Sequence, residues 1–320
     1  MIYLLKKKYL YWSILILTFI LFRIPIWSGS DLSDFWVFNY VGHDWLSGGK
    51  LYVSAWDHKA PLIFLIYGIY DKLWGASLIF TQVFTTLLVI LDTLFFLKIA
   101  KLWFRNDINK TKIALLVYVV ARNLPFLNLD GSTTENYTII FMNIGFWLFL
   151  KYRNNLKPSK LFLIGLMFGL VFWLKANCFI FALPICYLIY REAKNKLLTI
   201  INLFLPLVLL GLIHLGYFSL QGTLRDFYIA AFEYNSKYNL ANIPKNSFKD
   251  FVKIRINTLV SLVPFVPISI YYFWKQKFSI LHCYLLLFAF FIIITFGFNG
   301  YYYLPFVTVL SLVTVYAFDI

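Results

Sequence analysis

The stretch from Tyr9 to Leu62, YLYWSILILTFILFRIPIWSGSDLSDFWVFNYVGHDWLSGGKLYVSAWDHKAPL, sets a long apolar run against a sudden concentration of charge. Its first part, residues 9–28, is long enough to cross a hydrocarbon core as a helix. Its second part, Asp31 to Leu62, holds four Asp, two His and two Lys in 32 residues. Charge beside a bilayer is costly, so a dense cluster directly after a span points to chemistry at the membrane surface. Lys6, Lys7 and Lys8 precede the run and no small-residue cleavage site follows it. It therefore reads as a retained first helix rather than a removed leader.

The rest of the chain fits that reading. Of 320 residues, 61% are hydrophobic, 21% aromatic and only 13% charged, and the mean hydropathy is +0.76. Such apolar excess exceeds what a soluble core needs; a polytopic membrane protein uses it on its lipid-facing surface. The formal net charge of +15 does not indicate a nucleic-acid binder, because the basic residues sit between apolar runs rather than in one patch. Cys178, Cys186 and Cys283 lie inside apolar segments without metal or redox spacing and read as small core residues.

Apolar segments fall near 9–28, 78–100, 113–129, 136–151, 161–175, 176–190, 197–219, 258–274, 278–298 and 301–318, predicting an all-α polytopic membrane protein of about ten transmembrane helices. Alternate connections carry the basic residues: Lys6–Lys8, then Lys98 to Lys112, Lys151 to Lys160, Arg191 to Lys196, and Lys275 with Lys277. Only Asp107 and Glu192 oppose them, which places these connections and the N-terminus in the cytoplasm. The other face holds the long loops 29–77 and 220–257. It also gathers Asp31, Asp34, Asp44, Asp57, Asp71, Asp130, Glu135, Asp226, Glu233 and Asp250. That asymmetry marks the outer face as the active one. Within the first loop, Pro61–Trp74 is apolar but too short to span comfortably, and is expected as a helix lying in the interface. No internal repeat divides the chain, so 1–320 reads as one transmembrane unit.

Several outer residues can carry chemistry. Asp34 can act as a general base on a hydroxyl, or it is a solvated acid at a helix start. Lys59 precedes a helix that opens at Pro61, and a cation beside a helix N-terminus makes a phosphate site; the alternative is an interfacial lysine touching lipid headgroups. His58 is a ligand, a proton carrier or structural. Glu135 can orient an acceptor or hold a cation, or simply answers the helix dipole. Lys175, between two apolar runs, must snorkel or pair, and Asp92 within the second span needs a partner. Arg225 can grip a phosphate in a fork. The aromatics from Phe227 through Tyr228 to Tyr238, with Asn and Asp among them, suit a sugar or form an amphipathic interfacial helix. No P-loop, GxGxxG, HExxH or Ser/His/Asp arrangement is present.

Taken in order, these blocks resemble the GT-C class of membrane glycosyltransferases. They are most similar to the bacterial branch near family 39, the protein O-mannosyltransferase and aminoarabinose-transferase relatives. The matching blocks are Asp34 with Phe38-Asn-Tyr40-Val-Gly42; Gly48 to Tyr52 with Asp57-His-Lys59-Ala-Pro61-Leu62; Thr134-Glu135-Asn-Tyr137; Gly165 to Lys175; Asp226 to Tyr238; and Tyr301 to Pro305. Ala60 stands where the family often has a first proline. Phe298-Asn299-Gly300 stands where an outer basic residue is common. The chain is also shorter than most relatives, lacks their soluble C-terminal domain, and ends in an apolar run beyond which further residues are expected.

The resemblance implies a GT-C-like fold in a bacterial plasma membrane and inverting transfer of a sugar from a polyprenyl-phosphate donor on the non-cytoplasmic face. It makes Asp34 the catalytic acid, with Asp31 as fallback. Lys59, and less firmly Lys175 and Arg225, would bind the donor phosphate. Glu135 matches the second acid, and with Asp57, His58, Tyr52, Tyr228 and Tyr302 it is expected at the acceptor and sugar. The acceptor is a lipid or a glycan. No cofactor or metal is required, although clustered carboxylates permit a divalent cation. The competing expectations are a flippase or transporter of lipid-linked glycans, which needs a charge-lined path through the bundle, and a glycan polymerase, which leaves the Asp34 and Asp57-His-Lys59 blocks unexplained.

Overall fold

The computed structural model describes residues 2–27, 33–128, 131–241, 265–294 and 300–317, with pairs at 252–253, 256–257, 259–260 and 262–263. The described residues are helical and contain no strand; a lone bridge joins Leu51 to Ala55. Each apolar segment read from the sequence contains helix. Four helices are long and apolar enough to cross a membrane, Tyr9–Trp27, Leu78–Trp103, Lys196–Leu220 and Gly300–Ala317, and Pro158–Leu174 is a shorter apolar one.

Helix α1 (Ile2–Trp27) and the hairpin of α2 (Ser33–Leu46) and α3 (Pro61–Trp74) come first. Helices α4 (Leu78–Trp103) and α5 (Ile108–Arg122) follow, then the short α6 (Pro125–Asn128), α7 (Thr134–Tyr152) and α8 (Pro158–Leu174). Next come a 3₁₀ turn (Ala176–Ala182), α9 (Leu183–Glu192) and α10 (Lys196–Leu220). The second long connection begins with α11 (Leu224–Tyr228), a π turn (Ile229–Glu233) and α12 (Tyr234–Ala241). The bundle closes with helices Phe265–Lys275 and Ile280–Ile294, a 3₁₀ turn Gly300–Phe306 and the final helix Val307–Ala317.

Prolines explain where expected segments break. The segment predicted at 113–129 ends as α5 before Pro125 and resumes as α6, because a residue before proline disfavours the helical region. The segment at 176–190 begins as a 3₁₀ turn and becomes α-helical at Leu183-Pro184, and the last span begins as a 3₁₀ turn containing Pro305.

Burial separates the lipid face from the core. On α1, Ile16, Leu17 and Leu21 are exposed, as are Val208, Leu212 and Ile213 on α10. Apolar surface turned outward is stable only in hydrocarbon. The final helix is the reverse: Val307 to Val315 are all buried, and it packs chiefly against α5 and the helix Phe265–Lys275. A second buried cluster caps one end, built from α2, α3, residues 51–55, the C-terminal ends of α8 and α10, and α11.

The opposite end carries the basic connections. There Tyr11 donates to the Lys112 carbonyl at 2.9 Å, Trp103 meets the Tyr316 hydroxyl at 3.1 Å, and Arg153 pairs with Glu192. The helix expected over Pro61–Trp74 forms there as α3 and crosses α2 at glycine. A Cβ on Gly42 would sit 2.5 Å from the Gly68 nitrogen and from the Phe64 carbonyl oxygen, so the two backbones touch only because neither residue has a side chain.

Candidate functional site

At the end remote from the basic connections lies a cavity of about 250 Å³, lined by His58, Lys59 and Lys175 together with Asn177, Asn235, Tyr302 and an apolar wall that includes Trp173 and Phe232. Two lysines and an imidazole face it, and among the described residues no carboxylate lines it. Its charge is therefore suited to an anion, and its apolar wall to a hydrophobic or ring-shaped group.

Lys59 is held by local geometry on every side. Its backbone N–H donates to Asp57 Oδ1 at 2.9 Å, and its carbonyl accepts from the Tyr52 hydroxyl at 2.7 Å. Tyr52 itself sits at φ 70°, and its ring packs among Phe64, Phe218 and Phe227. Burial raises the Tyr52 phenol well above its ordinary value, with Asp57 adding to the effect. Pro61 then opens α3 directly after Ala60, which is already in extended backbone (φ −69°, ψ 153°). Ala60 thus serves the turn without the first proline common in the resembled family.

The Lys59 ammonium lies 2.9 Å from His58 Nε2. An ammonium only donates, so Nε2 is the bare acceptor and the ring proton sits on Nδ1, 3.7 Å from Asp57 Oδ1. Burial, and then Lys59 and Lys175, push the imidazole below its ordinary value against the partial opposition of Asp57. The His58 carbonyl accepts from Asn235 Nδ2 at 2.7 Å, and the same amide reaches the Ala230 and Ala231 carbonyls at 3.3 and 3.0 Å. Those carbonyls belong to the π turn, whose wider winding leaves them off the α-helical ladder. Asn235 thereby clamps the second long connection onto the first, and Trp56 meets Tyr234 edge to face while His58 meets the same ring at a tilt.

Lys175 caps the end of α8 and pairs with Glu135, whose other oxygen accepts from the Thr134 hydroxyl at 3.0 Å. Glu135 is 1% exposed and does not line the cavity; it faces Lys175 from the first turn of α7. The Lys175 ammonium also lies 4.6 Å from the Tyr302 ring centre and 5.7 Å from that of Tyr301. Both tyrosines ride on the 3₁₀ turn, which docks through Gly300: a Cβ there would meet the Phe126 carbonyl oxygen at 1.9 Å.

Asp34 stands in the first turn of α2, half-buried and within electrostatic reach of Tyr301. Phe35, the next residue, and Phe38, one turn on, pack against Tyr67, whose hydroxyl donates to the Ser132 carbonyl at 3.1 Å. Asp34 does not line the cavity; its link to it is the electrostatic effect on Tyr301, which lies 5.7 Å from the Lys175 ammonium.

The expected site residues thus divide. His58, Lys59, Lys175 and Tyr302 line the cavity. Asp57, Tyr52 and Glu135 do not line it: the first two hold the Lys59 backbone, and Glu135 holds the Lys175 ammonium. Arg225 and Tyr228 are exposed on α11 and do not line it. Asp31 and Asp130 lie outside the described residues. Asn177 and Trp173, two and one residues from Lys175 or its neighbour Leu174, were not singled out from the sequence; their signal was proximity to a lysine between two apolar runs. Among the described residues no group of three His, Cys, Asp or Glu converges as a metal site. The chain matches no family model, no curated protein and no solved structure.

Proposed function

We infer that the protein is an inverting glycosyltransferase of the GT-C type. In this reading it spans a bacterial plasma membrane about ten times, with the N-terminus in the cytoplasm. It moves a sugar from a polyprenyl-phosphate donor to a hydroxyl of a lipid or glycan acceptor on the outer face. The observation that carries the reading is the cavity that joins Lys59 to Lys175, lined by no carboxylate among the described residues, with Asp34 within electrostatic reach of Tyr301 at its edge.

The donor phosphate rests against Lys59 and Lys175. Asp34 takes the proton of the acceptor hydroxyl as its oxygen attacks the anomeric carbon from the face opposite the phosphate. The sugar–phosphate bond breaks, its electron pair leaves on the phosphate oxygen, and the lysines stabilise that growing charge. Trp173 and Phe232 offer apolar surface to the sugar or to the start of the isoprenoid. Arg225 has no role in this scheme.

A transport reading calls for a polar path through the bundle. Asp92 and Arg122, both buried inside the bundle, instead close on one another at 2.8 Å, which favours the enzyme. The test is an assay of purified protein in lipid against a panel of polyprenyl-phosphate sugars. Transfer with inversion from at least one donor is expected. Flipping of a lipid-linked glycan across vesicles, with no transfer from any donor, would overturn the reading.

A further inference from the structure

The sequence left Asp92 in need of a partner. The structure supplies one in the fully buried Arg122 and builds a network around the pair. Asp92 Oδ2 accepts from Arg122 Nε at 2.8 Å and from the Tyr118 hydroxyl at 2.6 Å, while Oδ1 accepts from Asn143 Nδ2 at 2.7 Å. Asn143 Oδ1 in turn accepts from the Thr308 hydroxyl at 2.6 Å. The carboxylate is thus satisfied from α5, α7 and, through Asn143, the final helix.

The free arm of the guanidinium points elsewhere. Arg122 Nη1 donates to Asn136 Oδ1 at 2.7 Å, and Nη2 lies 3.5 Å from the Asn136 carbonyl oxygen. Asn136 Nδ2 reaches back to the Thr133 hydroxyl at 3.0 Å. Residues 133–136 form the start of α7, where Thr133 makes no side-chain cap. Asn136 is the immediate neighbour of Glu135, and Glu135 holds Lys175. Burying two ions is costly, and well-packed apolar residues often serve stability as well, so such a pair is most readily accounted for by what it positions.

We propose that Arg122, anchored by Asp92, is a positioning residue: through Asn136 it fixes the first turn of α7, and with it the Glu135 carboxylate that aims Lys175 into the cavity. The proposal concerns the charge of the site and stands or falls independently of sugar transfer.

The test is pulse acylation of the full-length protein in lipid with acetic anhydride. Lys175 modification is read by peptide mass spectrometry against Lys157, an exposed lysine at the other end of the bundle. In Arg122→Gln, Lys175 should acylate about tenfold faster relative to Lys157, the scale of losing one charged hydrogen bond. The Asp92→Asn/Arg122→Gln double variant, which leaves no unpaired buried ion, should recover thermal stability without restoring Lys175 protection. If Arg122→Gln does not fold, Asn136→Ala cuts the same link while leaving the ion pair, with the same expectation. Unchanged Lys175 labelling in whichever folded variant is measured would overturn the proposal and leave the network a structural pin. Failure of transfer with a positive labelling result would count against the transferase reading alone.

Discussion

At the residue scale, the decisive feature is that the two cavity lysines are held by different partners. Lys175 is matched by a buried carboxylate, whereas Lys59 leans on an uncharged imidazole. The contact that Lys59 makes with the ring therefore leaves its charge unmatched for an anion. His58 also ties the site to pH. Its pKa is depressed in the fold, by burial first and Lys59 second, from the ordinary 6.5. A base depressed by folding contributes stability above its unfolded value, and that contribution is lost as pH falls below about 6.5. The melting temperature should accordingly fall more steeply between pH 7 and pH 5 in the wild type than in His58→Gln, which keeps an acceptor for Lys59 but does not titrate. Parallel curves would show that His58 is not the group responsible. The identities of Lys59, His58 and Lys175 as site residues were legible in the sequence because charged residues next to apolar runs are conspicuous. Their partners were not. Glu135 and Lys175 are forty residues apart in the chain, and nothing local to either sequence announces the pairing. Arg122 closes a quiet segment of mixed polarity and gave no signal until Asp92 was seen beside it.

At the element scale, the α2–α3 hairpin presents the site, and its crossing depends on two missing side chains. Gly42→Ala should destabilise the protein by about 1–3 kcal/mol, because the added methyl meets backbone on both sides rather than a side chain that can rotate away. Gly216→Ala, on α10 with open space around its Cβ position, should be neutral or stabilise by about 0.5–1 kcal/mol. Thermal unfolding of both variants checks the contrast, and equal effects would contradict the account of the crossing. The start of α3 could be read from Pro61 and its end from the length of the apolar run, and the structure returns Pro61–Trp74. The π turn could not: nothing in IAAFE departs from an α-helical pattern, and the wider winding becomes intelligible only when Asn235 is seen gathering the freed carbonyls and the His58 carbonyl together.

At the scale of the whole molecule, composition and periodicity made an all-helical membrane protein legible, and the charge asymmetry divided its two ends. The structure collects the cavity at one end and Tyr11, Trp103, Arg153, Glu192 and Tyr316 at the other, with the lipid-facing apolar surface of α1 and α10 between them. What pattern reading could not supply was the local interruption of spans by Pro125, Pro184 and Pro305. With the three native cysteines replaced, Ser236→Cys at the cavity end should react with an impermeant maleimide in intact cells, and Asn154→Cys should react only after permeabilisation; the opposite pattern would reverse the orientation.

The central claim is that a carboxylate on α2 removes a proton from an acceptor at this cavity. The most direct measurement is the transfer rate of purified Asp34→Asn with the polyprenyl-phosphate sugar that the wild type uses. A fall of about 10²–10⁴-fold, with the melting temperature unchanged, is the result the account predicts; retention of more than about a tenth of the wild-type rate, well above what loss of a general base allows, would contradict it.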